Sequence, residues 1–245
     1  MYGELRDKVD LRGKTAEVIY DEERLRILDR LRKIAIEILE GLKECGIEGY
    51  AYGSIARGDV DKESDVDIAI IHDIPTNILR LCIERKWRIY RGEIIMATPT
   101  RTPVLYLYLD IEGKISVSKH LWKPSTTEYE FYKFGGMASL DQLLLGQRVP
   151  GVNKRLRLII PTERGHIERD VIGHEAEVAR ILGISVETVA ERVRVLTRRD
   201  KLGRTGVFFK AIFDGDSPIE EVIRGICKSR AGMKIARIFE EHSLC

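Results

Sequence analysis

The first regular pattern along the chain is a helical repeat of apolar residues set between charged ones. It occupies residues 21–47, DEERLRILDRLRKIAIEILEGLKECGI. Apolar residues at steps of three and four positions share one face of a helix, and Gly46 is a typical stop for such a helix. The pattern predicts an amphipathic helix with these inward residues: Leu25, Leu28, Leu31, Ile34, Ile38 and Leu42.

Between this helix and residue 120, short apolar runs alternate with a second helical stretch. Glycine and proline separate the runs, as expected for strands and turns. This order predicts a mixed β-sheet with helices packed on it, an α+β fold. The predicted strands are residues 48–54, 64–74 and 92–99 and the arms of a hairpin at 103–120 that turns at Glu112-Gly113; residues 55–63 are a short helix or loop, and 76–91 a helix.

A different helical pattern begins at His174. Residues 175–182 and 186–197 each have one apolar face, and Ser185 between them is a favourable N-cap for the second helix. Two helices joined by such a tight turn resemble a helix-turn-helix. We expect residues 164–173 to form the preceding helix and residues 202–213 to form a β-hairpin wing, which together give a winged helix-turn-helix.

The charge distribution of this second region predicts a binding partner. The net charge of the chain is only +2, but basic residues concentrate at 192–210, where Asp200 alone opposes them. A basic cluster of that density predicts a DNA- or RNA-binding face. The alternative is a helical hairpin used only for packing or for a homodimer. The side chains expected to bind nucleic acid are Arg192, Arg194, Arg198, Arg199, Lys201 and Arg204, and Lys210 belongs to the same cluster.

Amino-acid composition also predicts the cellular compartment of the protein and the kind of organism it comes from. The four cysteines are scattered without a C-x-x-C pair, which predicts reduced thiols and neither a disulfide framework nor a zinc site. The sequence has no apolar run of membrane-spanning length and no signal peptide, so we expect a cytoplasmic protein without a membrane partner. Charged residues make up 33% of the chain and Asn and Gln are scarce, which favours a thermophilic, archaeal-like source.

The predicted strand at 64–74 carries two aspartates that alternate with apolar residues. Side chains two positions apart on a strand share a face, so Asp65 and Asp67 lie together while Val66 and Ile68 enter the core. Two carboxylates about 4 Å apart repel each other by about 4 kcal/mol at an effective dielectric of 20. A cation between them turns that repulsion into binding, and hard oxygen ligands favour Mg²⁺ or Mn²⁺. The pair predicts a divalent-metal site.

A glycine-serine turn precedes this strand. Gly53 lets the backbone come close to a ligand, and the Ser54 hydroxyl with neighbouring amide N–H groups can hold phosphate oxygens. If the strands before and after the turn are neighbours in one sheet, the phosphate-binding turn and the metal-binding aspartates would lie close together. The turn and the aspartate pair together therefore predict a metal-assisted phosphate site.

The spelling GSIARG at residues 53–58, followed after five residues by SDVD at 64–67, resembles the signature of the DNA polymerase β nucleotidyltransferase superfamily. It is closest to the minimal prokaryotic members, and the resemblance covers about residues 47–119. The resemblance implies transfer of a nucleoside monophosphate from an NTP such as ATP to a hydroxyl, with two metal ions and three carboxylates.

The resemblance also implies roles for individual residues. Gly53 and Ser54 would bind the triphosphate, and Asp65 and Asp67 would be catalytic metal ligands. The third carboxylate lies on a later strand, where Asp110 is the best match; the alternatives are Glu112 and Glu93, and Asp110 also fits ordinary turn chemistry. Arg57 either holds phosphate or forms a surface ion pair.

These expectations combine into a nucleotidyltransferase fold at residues 1–150, joined to a winged helix-turn-helix with C-terminal helices at 151–245. The expected function is metal-dependent nucleotidyl transfer by an enzyme whose second domain binds nucleic acid. Two alternatives stay open: a DNA-binding regulator that only senses a nucleotide, and an antitoxin-like protein.

Overall fold

The computed structural model describes residues 15–203, 206–228 and 233–245. The chain divides into two compact units, each assembled from separate segments. Unit 1 consists of the described residues up to Ile36, of Tyr50–Val66 and of Ser125–Gly206. Unit 2 consists of the described residues in 37–49, 67–124 and 207–245. The units interleave along the sequence, so neither coincides with residues 1–150 or 151–245.

Helices and strands occur throughout the described residues, and both are numbered in chain order. The helices are α1 (Glu22–Glu44), α2 (Ser54–Arg57), α3 (Thr76–Glu84), α4 (Thr126–Gly135), α5 (Leu140–Leu144), α6 (Glu175–Leu182), α7 (Val186–Leu202), α8 (Ile219–Lys228) and α9 (Met233–Glu241). The strands are β1 (Ala16–Ile19), β2 (Tyr50–Tyr52), β3 (Val66–Ile70), β4 (Arg91–Met96), β5 (Val104–Tyr108), β6 (Ile115–His120), β7 (Met137–Ser139), β8 (Gly151–Val152), β9 (Arg157–Thr162), β10 (Gly165–Asp170) and β11 (Phe209–Asp214). Within the described ranges, no helix is both long enough and apolar enough to cross a membrane.

Unit 2 is built on a sheet with one apolar and one polar face. Its strands lie in the order β11-β4-β5-β6-β3, and β11–β4, β4–β5 and β5–β6 are antiparallel pairs. Leu105 and Leu107 on β5 and Val117 on β6 are fully buried on the apolar face. Tyr106 and Tyr108, which alternate with those leucines, lie on the other face, because side chains alternate along a strand.

Unit 1 contains a smaller sheet that supports the helix pair α6–α7. Strands β1, β10, β9 and β8 lie in that order with antiparallel pairing, and β2 pairs with β7. The apolar faces predicted for the two helices enter one buried cluster with α4 and β9. Its members are Phe134, Val152, Leu156, Leu158, Val171, Val178, Ala179, Val189 and Leu196.

Most predicted elements are confirmed. The first helix is α1, the strands before residue 100 are β2, β3 and β4, and the second helix is α3. The predicted hairpin at 103–120 is the β5–β6 pair, in which Tyr108 lies opposite Ser116. The expected combination of helices with a β-sheet is therefore present, and so are the two helices on either side of Ser185.

Two predictions around the helix pair are wrong. Residues 164–173, expected as a helix, form strand β10, which pairs with both β1 and β9. An added Cβ on Gly165 would lie 1.8 Å from the Val18 carbonyl oxygen, so the glycine permits the close approach of β1. Of the residues expected to form the hairpin wing, Arg204 and Thr205 lie outside the described residues, and those from Phe209 onward belong to strand β11, which pairs with β4 in unit 2. A winged helix-turn-helix is therefore not shown.

The expectation of reduced cysteines is also wrong. Disulfides join Cys45 to Cys82 and Cys227 to Cys245, and no cysteine of the described residues is free. Both bridges lie within unit 2. Their partners are 37 and 18 residues apart in the sequence, so only the packing of separate helices and the chain end brings the sulfur atoms together.

Candidate active site

The predicted phosphate-binding turn is a sharp turn in unit 1 that needs its glycines. Gly53 has φ 82° and ψ −145°, and Gly58, after the four-residue helix α2, has φ 102°. These are conformations that side chains other than glycine rarely adopt. The Gly53 N–H donates to the Gly136 carbonyl at 2.9 Å, and no atom lies within 4 Å of a Cβ added at Gly53. The turn is thus anchored on one side and open beside Gly53.

Arg57 lies beneath this turn and is only 6% exposed. Its guanidinium donates to both carboxylate oxygens of Asp59, at 2.9 and 3.0 Å. Its remaining nitrogen contacts the Gly135 carbonyl and lies 3.5 Å from the Val152 carbonyl. The ion pair is buried, not at the surface, and these contacts brace the turn. A role for Arg57 toward phosphate stays a prediction.

A second buried arginine supports the turn, and sequence reasoning missed it. Arg32, on α1, donates to the carbonyls of Ile55 at 2.9 Å and Ala56 at 3.1 Å. Burial, with a further contribution from nearby Arg148, lowers the pKa of Arg32 to about 10. In the sequence Arg32 is one of many charges on an amphipathic helix, so no local signal distinguishes it.

The aspartate pair has the predicted alternation. Asp65 is exposed just before β3, and Asp67 is half-buried on β3 between the buried residues Val66 and Ile68. On the adjacent strand β6, the Ser116 hydroxyl donates to the Asp67 carboxylate at 2.7 Å. Asp67 is therefore held by a side chain of the neighbouring strand in unit 2.

Asp110 lies in the turn between β5 and β6. One carboxylate oxygen accepts from the Lys114 N–H at 3.1 Å, and the other accepts from the Ile115 N–H at 2.9 Å. These are the hydrogen bonds of a turn-forming aspartate. Its role as third catalytic carboxylate stays a prediction, and its observed contacts are structural.

The two alternative carboxylates have different surroundings. Glu112 is exposed in the same turn. Glu93, on β4, is 4% exposed, and its oxygens lie 3.0 Å from the Lys210 ammonium and 3.5 Å from the Arg91 guanidinium. The ammonium of Lys210 therefore neutralises a buried carboxylate of the sheet in unit 2.

Two tyrosines on β5 connect Asp67 and Glu93 across the polar face of this sheet. Tyr106 lies opposite Ser118 on β6 and opposite Glu93 on β4. Burial, and then the nearby Asp67 carboxylate, raises the pKa of Tyr106, so its hydroxyl stays a neutral donor at neutral pH. Burial, and then Glu93, likewise raises the pKa of Tyr108. The alternation in VLYLYL could have indicated this polar face, but the sequence pattern does not show which way it points.

The expected metal site stays a prediction. Within the described ranges, no group of three or more His, Cys, Asp or Glu side chains is placed to hold a metal ion. Asp65 and Asp67 are nevertheless two hard oxygen donors two residues apart at the start of one strand, which fits a divalent cation such as Mg²⁺ or Mn²⁺.

The predicted nucleic-acid residues lie on or after α7 in unit 1. Arg194, Arg198, Arg199 and Lys201 are exposed. The Arg192 guanidinium lies 4.8 Å from the centre of the Phe131 ring, so it packs on α4. Arg204 lies outside the described residues.

Comparison with known proteins identifies the class of the first region. Residues 28–121 match the family model for the nucleotidyltransferase domain. The match covers about two-fifths of the chain and includes the glycine-serine turn and the aspartate pair. Over this stretch the chain is therefore similar to nucleotidyltransferase domains.

Comparisons with individual proteins do not narrow the function further. No curated protein matches the chain significantly. One similar solved structure is described as "Structural Plasticity of Cid1 Provides a Basis for its RNA Terminal Uridylyl Transferase Activity". It is 20% identical, with a TM-score of 0.24, and the similarity covers 42% of this chain and 30% of that one. The chain thus spans less than a third of the length of that protein.

Proposed function

We propose that this protein is a metal-dependent nucleotidyltransferase that moves a nucleoside monophosphate from an NTP to an acceptor hydroxyl and releases pyrophosphate. One observation carries the proposal: the stretch that matches the nucleotidyltransferase family contains both an open glycine-serine turn and an aspartate pair at the head of a strand. The family match supports the reaction class, and the residue types support separate roles in phosphate binding and cation binding.

In this proposal Gly53 and Ser54 hold phosphate oxygens, and Asp65 and Asp67 hold a divalent cation. The cation, when bound, neutralises triphosphate charge and lowers the pKa of a coordinated hydroxyl. Ser116 keeps the Asp67 carboxylate in place through its 2.7 Å hydrogen bond. The acceptor hydroxyl loses its proton to solvent, its oxygen bonds to the α-phosphorus, and the bond from the α-phosphorus to the leaving pyrophosphate breaks.

We further propose that α7 binds a nucleic acid. Arg194, Arg198 and Lys201 are exposed and spaced by four and three residues, which places them on one side of the helix. A stripe of exposed cations on one helix face fits a phosphate backbone. The nucleic acid would present the acceptor hydroxyl or localise the enzyme.

Transfer of label tests the reaction. The protein would be incubated with each α-labelled NTP, with Mg²⁺ or Mn²⁺, and with cell extract containing RNA and protein. The Asp67→Asn variant is the matched control, because it keeps the size of the side chain and removes its charge. Label on an acceptor with wild type alone supports the proposal and identifies the nucleotide. Equal labelling by both proteins would contradict it.

A second function is favoured by one specific observation. Both oxygens of Asp110 are engaged by the turn, so a three-carboxylate catalytic set is not evident, and a regulator that senses a nucleotide without turning it over fits this arrangement. Cation-dependent NTP binding without any transfer, across all four nucleotides, would decide for the sensor.

Salt dependence tests the nucleic-acid proposal. Each phosphate contact contributes a slope of about −0.7 for single strands or −0.9 for duplex B-DNA in a plot of log K against log salt. We expect Arg194→Ala combined with Arg198→Ala to reduce the magnitude of that slope by about 1.4 for single strands or about 1.8 for duplex B-DNA. Arg26→Ala, which removes an exposed arginine on α1, should leave the slope unchanged. A wild-type affinity that does not vary with salt would refute the proposal.

A further inference from the structure

The strand beside Asp67 presents a hydroxyl group to its carboxylate. Strand β6 is the neighbour of β3 in the sheet of unit 2. Ser116 on β6 is 2% exposed, and its Oγ lies 2.7 Å from Asp67 Oδ1. The position on β6 that reaches Asp67 is thus a buried, neutral side chain.

The other carboxylates considered in unit 2 have structural partners of their own. The Asp110 oxygens accept hydrogen bonds from the Lys114 and Ile115 N–H groups. The Glu93 oxygens lie beside the Lys210 ammonium at 3.0 Å and the Arg91 guanidinium at 3.5 Å. A cation recruited to either carboxylate would have to compete with these contacts.

We infer that this site takes one divalent cation and not two, and that Ser116 occupies the position from which a third carboxylate would reach the second cation. The inference rests on the proposed function, because it concerns the cation site of the nucleotide complex. Two divalent ions about 3.5–4 Å apart repel each other strongly and require negative ligands around both. A serine hydroxyl that directs its proton at Asp67 adds no negative charge.

The two serines of β6 have different roles. Ser118 is 1% exposed and donates to the Ile68 carbonyl at 3.1 Å, so it joins backbone to side chain within the sheet. Ser116 alone of the two contacts a carboxylate of the site. A carboxylate introduced at residue 116 would face Asp67 from the neighbouring strand and complete a second cation site.

Counting bound Mn²⁺ tests the inference without depending on turnover. Each protein would be saturated with Mn²⁺ and an NTP analogue carrying a methylene bridge between the α- and β-phosphorus, separated from free ligand, and analysed by electron paramagnetic resonance. We expect one Mn²⁺ per chain for wild type, for Ser116→Ala and for Asp110→Asn, and two for Ser116→Asp. The Mn²⁺-induced rise in melting temperature should also be larger for Ser116→Asp than for wild type.

The outcomes separate this inference from the proposed function. Two Mn²⁺ ions in wild type, with one lost in Asp110→Asn, would overturn the inference and leave nucleotidyl transfer intact. Wild type that binds neither Mn²⁺ nor the analogue would refute both. If Ser116→Asp fails to fold, the wild-type count and the Asp110→Asn count still decide the question.

Discussion

Asp67, near the start of β3, and Asp110, just after β5, are both aspartates of unit 2, yet their carboxylates have different partners. Asp67 lies on β3, where the backbone N–H groups belong to the sheet, and a side chain of the next strand holds its carboxylate. Asp110 lies where β5 turns into β6, and two N–H groups of that turn donate to its oxygens. A carboxylate on a regular strand is available to bind a ligand, whereas one beside a turn accepts hydrogen bonds from the backbone of that turn.

The largest expected difference between the two aspartates is in nucleotidyl transfer. Asp67→Asn should lower the rate by more than about 100-fold, because loss of even an outer-shell partner costs about 10–100-fold at metal sites. Asp110→Asn should change it by less than about threefold, which is less than about 0.7 kcal/mol of activation free energy, because its carboxylate is engaged by the turn. Single-turnover label transfer with both variants measures this. Comparable losses in both would place Asp110 in the chemistry.

Both aspartates should be compared in protein with its disulfides formed. We expect the disulfides to contribute more to stability than either aspartate does. Closing a loop of 37 residues stabilises a fold by about 4 kcal/mol in the chain-entropy model. The double substitution Cys45→Ser with Cys82→Ser should lower the free energy of unfolding by that amount. The matched control replaces Cys227 and Cys245, which close 18 residues and should cost about 3 kcal/mol. Equal stability with and without reductant would show that the bridges do not form.

The expected order of the two aspartates reverses for stability. Asp110→Ala removes an acceptor for two turn N–H groups and should cost about 2 kcal/mol, within the range of about 1.5–3 kcal/mol for a hydrogen bond to a charged group, because water can replace part of both bonds at this half-buried turn. Asp67→Ala should cost less than about 1 kcal/mol, because it also relieves repulsion with Asp65. Urea denaturation without nucleotide measures both changes. A larger loss for Asp67→Ala would contradict the structural role given to Asp110.

Ser116→Ala should have a smaller effect on stability than Asp110→Ala. Ser116→Ala removes a hydrogen bond to a carboxylate and should lower stability by about 1 kcal/mol. A double-mutant cycle with Asp67→Asn isolates the pair, because it subtracts the effects of the separate substitutions. A coupling energy indistinguishable from zero would mean that the two side chains do not support each other.

The same contrast explains how far the sequence could predict this molecule. Apolar periodicity is local, so α1, β3 and the β5–β6 hairpin were predictable from their own residues. The partner of a strand is not local: β11 pairs with β4, where Phe209 lies opposite Met96, and nothing within residues 202–213 indicates that choice. The disulfides follow the same rule, since cysteines 37 residues apart become partners only through packing.

The candidate site divides in the same way. Gly53, Ser54, Asp65 and Asp67 stand in one short stretch, so their spacing identified them. Ser116 was not predictable, because its importance comes from its distance to Asp67 on another strand. Asp110 looked suitable because it follows a strong strand, but the hydrogen bonds that engage it come from the turn that also follows that strand.

The most direct test of the central claim, that Asp67 serves the ligand and Asp110 the fold, is the Mg²⁺-dependent affinity for NTP of Asp67→Asn and Asp110→Asn. Both would be measured by titration calorimetry beside wild type, well below the melting temperature of each protein. The account predicts that Asp67→Asn loses Mg²⁺-dependent binding, whereas Asp110→Asn binds like wild type and melts at a lower temperature. Loss of binding by folded Asp110→Asn, with binding retained by Asp67→Asn, would contradict it.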